Sequence, residues 1–291
     1  MKEINTVFHF TKELDRIKQI LNDGGFKPSY AIEKFGNRNI LVPMISFSNI
    51  SLRDVGNNEV IDYGNYAIGF DRLYATKIEL NPVCYIYENS EMEKAILNLI
   101  DLSTILQGVG ILKDITQVSN FTKITDHIKL TPLLVEVENL LNSITKETSD
   151  EMISAIKSYS AKIYENAYYQ LLLAKPYRIT NKIGETKVAY NEREWRKSYK
   201  ELVPLFETDK SGKSNPEYAK WSTTQKPHFN DQNHMLKIGI ENIKFIVVNE
   251  EREIQGIEDI LLNIYGKDKM DKVYSSGLFQ IGTLENLKMT E

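Results

Sequence analysis

Short polar pairs lie at the ends of several strand-like segments and are the residues of this sequence best suited to chemistry. His9 and Thr11 lie two residues apart at the end of one segment, and Ser46 and Ser48 lie two apart at the end of another. Because side chains alternate along a strand, each pair is predicted to share a face. An imidazole and hydroxyls placed in this way can bind and orient a polar ligand.

Carboxylates and tyrosines complete this set of candidates. Glu192 and Glu194 alternate with other residues in a strand-like stretch, so both carboxylates are predicted to share a face with Arg196. Tyr63 and Tyr66 lead into a further strand. A pair of carboxylates on one face is suited to acid–base work or to the stabilisation of positive charge.

Each feature also has a structural explanation. A histidine in a strand is usually held by hydrogen bonds, and serines at strand ends often satisfy neighbouring backbone groups. Alternating glutamate and arginine commonly marks a solvated edge strand. The combination of four such strand ends favours a functional site over four unrelated structural features.

Other familiar motifs are incomplete. Gly212–Ser214 resembles the end of a phosphate-binding loop, but Glu207 stands where the first glycine belongs. His228, Asp231 and His234 lack the spacing of a metal site, so no metal is predicted.

The elements that must position these residues follow from hydrophobic periodicity. A helix over Lys12–Asn22 is predicted to end at Gly24 and Gly25, and a second, Glu250–Tyr265, is predicted to turn its isoleucines and Leu261 inward. Strands are predicted at Ile4–Phe10, Leu41–Ser48, Tyr66–Phe70, Pro82–Glu88, Lys187–Arg196 and Ile243–Val248. Asp209–Tyr218 has the composition of a loop.

The period becomes helical between residues 91 and 175. We therefore predict an α+β fold, in which residues 1–90 and 176–291 form the two halves of a strand-rich core and residues 91–175 form a helical insertion.

Composition excludes several classes of function. The chain has 36 Lys and Arg against 40 Asp and Glu, a formal charge of −4, so non-specific nucleic acid binding is not expected. Cys84 is the only cysteine, which excludes an intrachain disulfide. No secretory signal or membrane-length apolar run is evident, so a cytoplasmic protein without membrane contact is expected.

Five blocks of the sequence resemble the AbiGi family of abortive phage-resistance proteins. They are Phe8–Lys12, the run from Leu14 to Tyr30, Pro43–Ser48, Tyr63–Phe70 and Glu192–Arg196. The resemblance implies the antitoxin half of a phage-defence pair whose toxin resembles a nucleotidyltransferase. A toxin protein or a phage-derived trigger is then the expected partner.

The same blocks are more distantly similar to ADP-ribosyltransferases, which implies an ADP-ribosyltransferase-like core that uses NAD. On this likeness Glu194 stabilises the oxocarbenium ion formed when nicotinamide leaves, and Glu192 orients or deprotonates an acceptor. The remaining candidates would bind NAD: His9, Thr11, Ser46, Ser48, Tyr63, Tyr66 and Arg196.

Two functions follow from these resemblances. The first is a phage-defence protein that binds NAD and transfers ADP-ribose or hydrolyses NAD. The second is a non-catalytic antitoxin that binds its partner through the helical block at residues 91–175. The enzymatic hypothesis requires one cleft that contains His9, Tyr63 or Tyr66, and Glu194.

Overall fold

The computed structural model describes residues 5–36, 38–54, 64–98, 150–180, 186–199, 202, 204–207, 214–222, 229 and 232–288. Its strands, β1 to β15 in chain order, are Thr6–Thr11, Gly25–Phe26, Ser29–Phe35, Arg38–Ser48, Tyr66–Asp71, Asn81–Pro82, Cys84–Ile86, Ala174–Pro176, Arg178–Thr180, Thr186–Val188, Glu194–Lys197, Leu205–Phe206, Leu236–Lys237, Ile243–Val248 and Gln280–Thr283. Its helices, α1 to α7, are Leu14–Asp23, Arg72–Lys77, Asp150–Leu173, Pro216–Trp221, Ile254–Tyr265, Lys267–Ser275 and Leu284–Lys288.

A large mixed sheet forms the centre of the fold. Its strands lie in the order β15-β14-β5-β1-β4-β11-β6, and β3 and β12 also pair with β4. The pairings are antiparallel except for β14 with β15. Strands from both ends of the chain therefore share one sheet, and the predicted α+β class is confirmed.

The long strand β4 has two roles. Its first half forms a hairpin with β3, in which Ser29 pairs with Met44 and Phe35 with Arg38. Its second half lies between β1 and β11, where Ser48 pairs with Phe8 on one side and with Glu194 on the other. This strand therefore joins the candidate residues at the two ends of the sequence.

The sheet buries apolar side chains on both faces. On the α1 face, Val7, Phe47 and Phe70 belong to the same core as Ile17 of α1 and Ile257 of α5. On the α3 face, Phe8, Ala67 and Val247 pack with Leu287, while Val42 and Met44 pack with Leu171 of α3. The period-two alternation along each strand produces this division.

Several predicted elements are confirmed with small changes of boundary. Strands β1, β4, β5 and β14 lie where apolar runs predict them, and helix α5 follows β14. Helix α1 ends at Gly24, which adopts the left-handed conformation with φ 70°. Glycine reaches this conformation without steric cost, so the predicted stop signal is confirmed.

Other predictions about the elements were wrong. The strand predicted at Lys187–Arg196 is interrupted by a 3₁₀ helix at Ala189–Glu192. The strand predicted at Pro82–Glu88 is instead the short strands β6 and β7, and α4 begins within the predicted loop Asp209–Tyr218. Ile264 was predicted to face inward but is 41% exposed.

Helical structure is present at both ends of the predicted insertion. Residues 91–98 are helical and α3 covers Asp150–Leu173, whereas residues 99–149 lie outside the described residues. The three predicted segment boundaries stay predictions. Among the helices that the structure describes, none is long and apolar enough to span a membrane.

Candidate functional site

Strand register brings four of the candidate residues side by side. Glu194 pairs with Ser48, and Arg196 pairs with Ser46, across the antiparallel strands β11 and β4. Directly paired residues point to the same face of a sheet, so all four side chains lie on the α3 face. The Ser46–Ser48 and Glu194–Arg196 segments are therefore neighbours in the sheet.

Arg196 is the centre of this group and is 0% exposed. Its Nε donates to Glu194 Oε1 at 2.6 Å, and its Nη2 donates to Glu33 of β3. Its Nη1 donates to the carbonyl oxygens of Leu172, at 3.2 Å, and Ala174, at 2.9 Å. A guanidinium buried at this depth requires such a complete set of acceptors.

Lys175 of β8 extends the group toward Glu192. Its Nζ donates to Glu192 Oε2 at 2.6 Å and also to Glu194 Oε2. Lys187 Nζ lies 3.2 Å from Glu192 Oε1. We call these six residues the ion cluster, in which three carboxylates balance three cations: Glu33, Lys175, Lys187, Glu192, Glu194 and Arg196.

The two carboxylates on Arg196 have different proton affinities. Burial raises the pKa of Glu194, but the charges of Arg196 and Lys175 outweigh burial and hold this pKa at about 2. Burial also raises the pKa of Glu33, and there Arg196 and Lys175 do not fully offset it. Burial lowers the pKa of Arg196, but Glu194 and Glu33 raise it above its ordinary value. Glu194 is therefore ionised and Glu33 is the carboxyl of this pair that takes up a proton first.

Glu192 reaches the ion cluster by a different route from the predicted one. It ends the 3₁₀ helix, and the next residue, Arg193, adopts a left-handed conformation with φ 44°. The turn, rather than the alternation of a strand, brings Glu192 beside Glu194. The prediction that the two carboxylates lie together is confirmed, but its structural basis was wrong.

His9 and Thr11 lie on the opposite face of the sheet from Glu194. Phe8 pairs with Ser48, which pairs with Glu194, so the side chains of Phe8 and Glu194 point to the same face, the α3 face. The next residue, His9, therefore points to the α1 face. There its Nδ1 donates to the carbonyl oxygen of Ser46 at 2.9 Å, and its ring contacts Phe26 and Phe47 at centroid distances of 5.0 and 5.5 Å. The sheet separates the imidazole from the ion cluster.

Two cavities lie near the candidate residues. A cleft of about 170 Å³ is lined by His9, Thr11 and Ser46 together with residues of α1, and a second cavity of about 30 Å³ is lined by Ser46, Ser48, Glu192 and Glu194. Ligand pockets usually have roughly 300–1,000 Å³. The cavity beside Glu194 is therefore far smaller than a dinucleotide.

Tyr66 is held at a third position. Its hydroxyl donates to Glu253 Oε1 at 2.9 Å, and Glu253 Oε2 accepts the backbone N–H groups of Asn249 and Glu250. This contact anchors the start of the C-terminal helices. Tyr63 lies outside the described residues, as do His228 and Asp231, and no group in the described part of the chain is arranged to hold a metal ion.

The comparisons with known proteins give one family. Residues 37–249 match the family described as "Putative abortive phage resistance protein AbiGi, antitoxin". The chain belongs to the AbiGi family. Neither the comparison with curated proteins nor that with solved structures gives a match.

The AbiGi match covers some of the candidate residues but not all of them. Ser46, Ser48 and the Glu192–Arg196 segment lie inside residues 37–249, whereas His9 and Thr11 precede the matched region. The resemblance to AbiGi proteins is confirmed. The family description associates the chain with abortive phage resistance in the antitoxin role, which entails a toxin partner.

Three members of the ion cluster, Glu33, Lys175 and Lys187, were not among the candidate residues of the sequence. Lys175 follows the apolar run Leu171–Ala174, and a lysine directly after buried residues is a signal for an internal ion pair. Glu33 lies in strand β3, which was itself not predicted. Its exposure of 5% could not be inferred without the β3–β4 hairpin.

Proposed function

We propose that this AbiGi protein is the antitoxin of an abortive phage-defence pair and that it neutralises its toxin by binding it, without chemistry at Glu194. The observation that carries this proposal is the state of Glu194. Both of its carboxylate oxygens bind cations of the ion cluster, and the residue is 6% exposed. The family description supports the antitoxin role.

Electrostatics argues against a catalytic role for Glu194. A carboxylate that stabilises an oxocarbenium ion must present its charge to the substrate. Here Arg196 and Lys175 neutralise that charge before any substrate arrives. Release of Glu194 would take one carboxylate partner from each of two buried cations, Arg196 and Lys175, and breaking a buried pair in this way costs roughly 3–5 kcal/mol. The arrangement is suited to holding β8 and β11 together.

The NAD hypothesis rests on a different observation and stays a prediction. His9 and Thr11 line one cleft, as nucleotide-binding residues would, and Ser46 borders it where its carbonyl oxygen binds His9. The remaining residues assigned to this function do not join them, because Glu194 and Arg196 lie across the sheet. The hypothesis therefore has less support than binding by contact.

One experiment separates the two functions. The purified chain is incubated with labelled NAD, with and without its toxin partner, and the same proteins are co-expressed in a growth assay. We expect the wild-type chain to restore growth and to release no nicotinamide. A contact mechanism needs no NAD turnover.

The Glu194→Gln variant provides the comparison. It removes the charge but keeps the shape of the side chain, and its fold is checked by circular dichroism. Restored growth with a folded Glu194→Gln chain supports the proposal. Nicotinamide release by the wild type that Glu194→Gln abolishes would contradict it.

A further inference from the structure

Four tyrosines form a cluster next to the ion cluster, and we call them the tyrosine patch: Tyr85, Tyr87, Tyr177 and Tyr190. The rings of Tyr87 and Tyr177 are stacked, with centroids 4.0 Å apart and planes 18° apart. Tyr190 continues the stack at 6.2 Å from Tyr177, and Tyr85 meets Tyr190 edge-on at 5.3 Å. Contacts between aromatic rings at these distances are attractive.

Backbone register produces this stack. The parallel strands β7 and β8 pair Ile86 with Pro176, so Tyr87 and Tyr177 directly follow paired residues. The backbone N–H of Tyr177 donates to the carbonyl oxygen of Ile86 at 2.8 Å, which continues the alignment. The backbone pairing therefore places the two rings side by side.

The patch is exposed at its outer side and anchored at its inner side. Tyr87 and Tyr190 are each 55% exposed. Tyr85 lies deeper, where its hydroxyl accepts the backbone N–H of Glu194 at 2.8 Å, and burial raises the pKa of Tyr85 to about 12. Rings that are ordered before a partner arrives lose little conformational entropy on binding.

Two exposed arginines flank the patch. Arg178 directly follows Tyr177 and acts electrostatically on the Tyr87 hydroxyl, and Arg193 closes the turn that carries Tyr190. Tyrosine and arginine are the residue types that dominate binding energy at protein interfaces. A partner that fits this surface presents carboxylates around an apolar centre.

We propose that the tyrosine patch is the surface through which this antitoxin binds its toxin, and that the toxin contacts it with an acidic, partly apolar surface. This inference rests on the proposed antitoxin function. A protein partner is favoured over single-stranded nucleic acid because Tyr87 already covers the face of Tyr177 on which a base would stack.

The test measures the affinity of the full chain for its purified toxin partner. Replacement of both exposed rings, Tyr87→Ala with Tyr190→Ala, is expected to weaken binding at least 30-fold, or about 2 kcal/mol. Tyr159→Ala is the matched control, because Tyr159 is a 67% exposed tyrosine on helix α3, within the alternative helical surface. Its affinity is expected to stay within about twofold of wild type, as for a residue outside the interface.

A charge variant tests the predicted chemistry of the partner. Arg178→Glu is expected to slow association about tenfold at low salt and to reduce the salt dependence of the rate. Arg252→Glu, at a position 81% exposed, is the control and is expected to leave the rate unchanged. Circular dichroism confirms that each variant is folded.

The outcomes separate the surface from the function. If the wild type binds the toxin and the double tyrosine variant binds equally well, the surface inference is wrong and the antitoxin function stands. If Tyr159→Ala weakens binding instead, the toxin docks on the helical block and the inference is wrong. If the wild type does not bind the toxin, the proposed function is wrong and the inference falls with it. Toxin binding by the double variant combined with loss of affinity for a single-stranded oligonucleotide would also overturn the inference.

Discussion

At the scale of single residues, the ion cluster shows how burial decides the role of a charged side chain. Arg196 is fully buried, and each of its nitrogens donates to an acceptor. Such a cluster adds little net stability compared with apolar packing, but the loss of one member leaves an uncompensated charge in the core. Replacing one member of the ion cluster is therefore expected to lower the free energy of unfolding by more than the whole cluster adds to it.

Arg196→Leu is expected to destabilise the chain by about 3–5 kcal/mol, because Glu33 and Glu194 lose their common cation. Urea unfolding measures this change. Arg252→Leu is the control: Arg252 forms an exposed ion pair with Glu250, and its loss is expected to change stability by at most about 0.5 kcal/mol. Equal costs for the two variants would contradict the structural role of Arg196.

The cluster also predicts how stability depends on pH. The folded-state pKa of Glu194, about 2, lies below its ordinary value of 4.5, so the unfolded chain takes up this proton first. Stability from Glu194 is therefore complete above pH 4.5 and is lost as the pH falls toward 2. The difference in unfolding free energy between the wild type and Glu194→Gln is expected to shrink over that window.

The pKa of Glu33 shifts in the opposite direction from that of Glu194, so Glu33→Gln is the contrasting variant. Its pKa is raised in the folded state, so the folded chain keeps this proton longer and the contribution of Glu33 falls as the pH rises above 4.5. At pH 7, Glu33→Gln is expected to cost less stability than Glu194→Gln, as measured by urea unfolding. A larger cost for Glu33→Gln would contradict this assignment of the two carboxyls.

The residue scale also shows the limit of sequence patterns. The spacing of Glu192, Glu194 and Arg196 correctly predicts that these groups lie together, because the separation along the chain is short. The partners Lys175 and Glu33 come from β8 and β3, and no local pattern encodes those distant pairings. In the sequence alone, the carboxylate pair therefore resembles a catalytic site, because the cation Lys175 that neutralises it is not recognisable there.

At the scale of secondary structure, the close contact of β1 and β5 depends on a glycine. Gly69 pairs with Phe8, and a Cβ at Gly69 would lie 2.4 Å from the buried Phe8 ring. The ring occupies the space that a side chain would need. The periodicity of Tyr66–Phe70 predicts the strand, but it does not reveal why its fourth residue is glycine.

Gly69→Ala is expected to destabilise the chain by about 1–3 kcal/mol through overpacking in the core. Gly256→Ala is the matched control, since a methyl group at this exposed glycine of α5 would meet no atom outside its own helix within 4 Å. It is expected to increase stability by roughly 0.5–1 kcal/mol because alanine favours helix. A stabilising effect of Gly69→Ala in thermal unfolding would show that the Phe8 contact is not tight.

The hairpin of β3 and β4 was only half predicted. Leu41–Ser48 is an apolar run, whereas β3 mixes Glu33 and Lys34 with apolar residues and has no clean alternation. Its pairing with the first half of β4 and the burial of Glu33 against Arg196 compensate for this composition. Tertiary contacts of this kind override local propensity.

At the scale of the whole molecule, the ion cluster connects the helical block to the sheet. Arg196 of the sheet donates to the carbonyl oxygen of Leu172, in the last turn of α3, and to that of Ala174, the first residue of β8, which Lys175 directly follows. The cluster therefore holds the C-terminal end of the helical block against the core and supports the tyrosine patch through Tyr85. A structural role, in which the ion cluster holds the helical block against the sheet, accounts for these contacts more fully than a role in catalysis.

The central claim is that the chain neutralises its toxin by contact. Its most direct test is a calorimetric titration of the purified toxin with the purified chain, in the presence and absence of NAD. We expect saturable binding at a fixed stoichiometric ratio and the same affinity with and without NAD. Absence of binding, combined with neutralisation of the toxin by far less than an equimolar amount of chain when NAD is present, would contradict the claim.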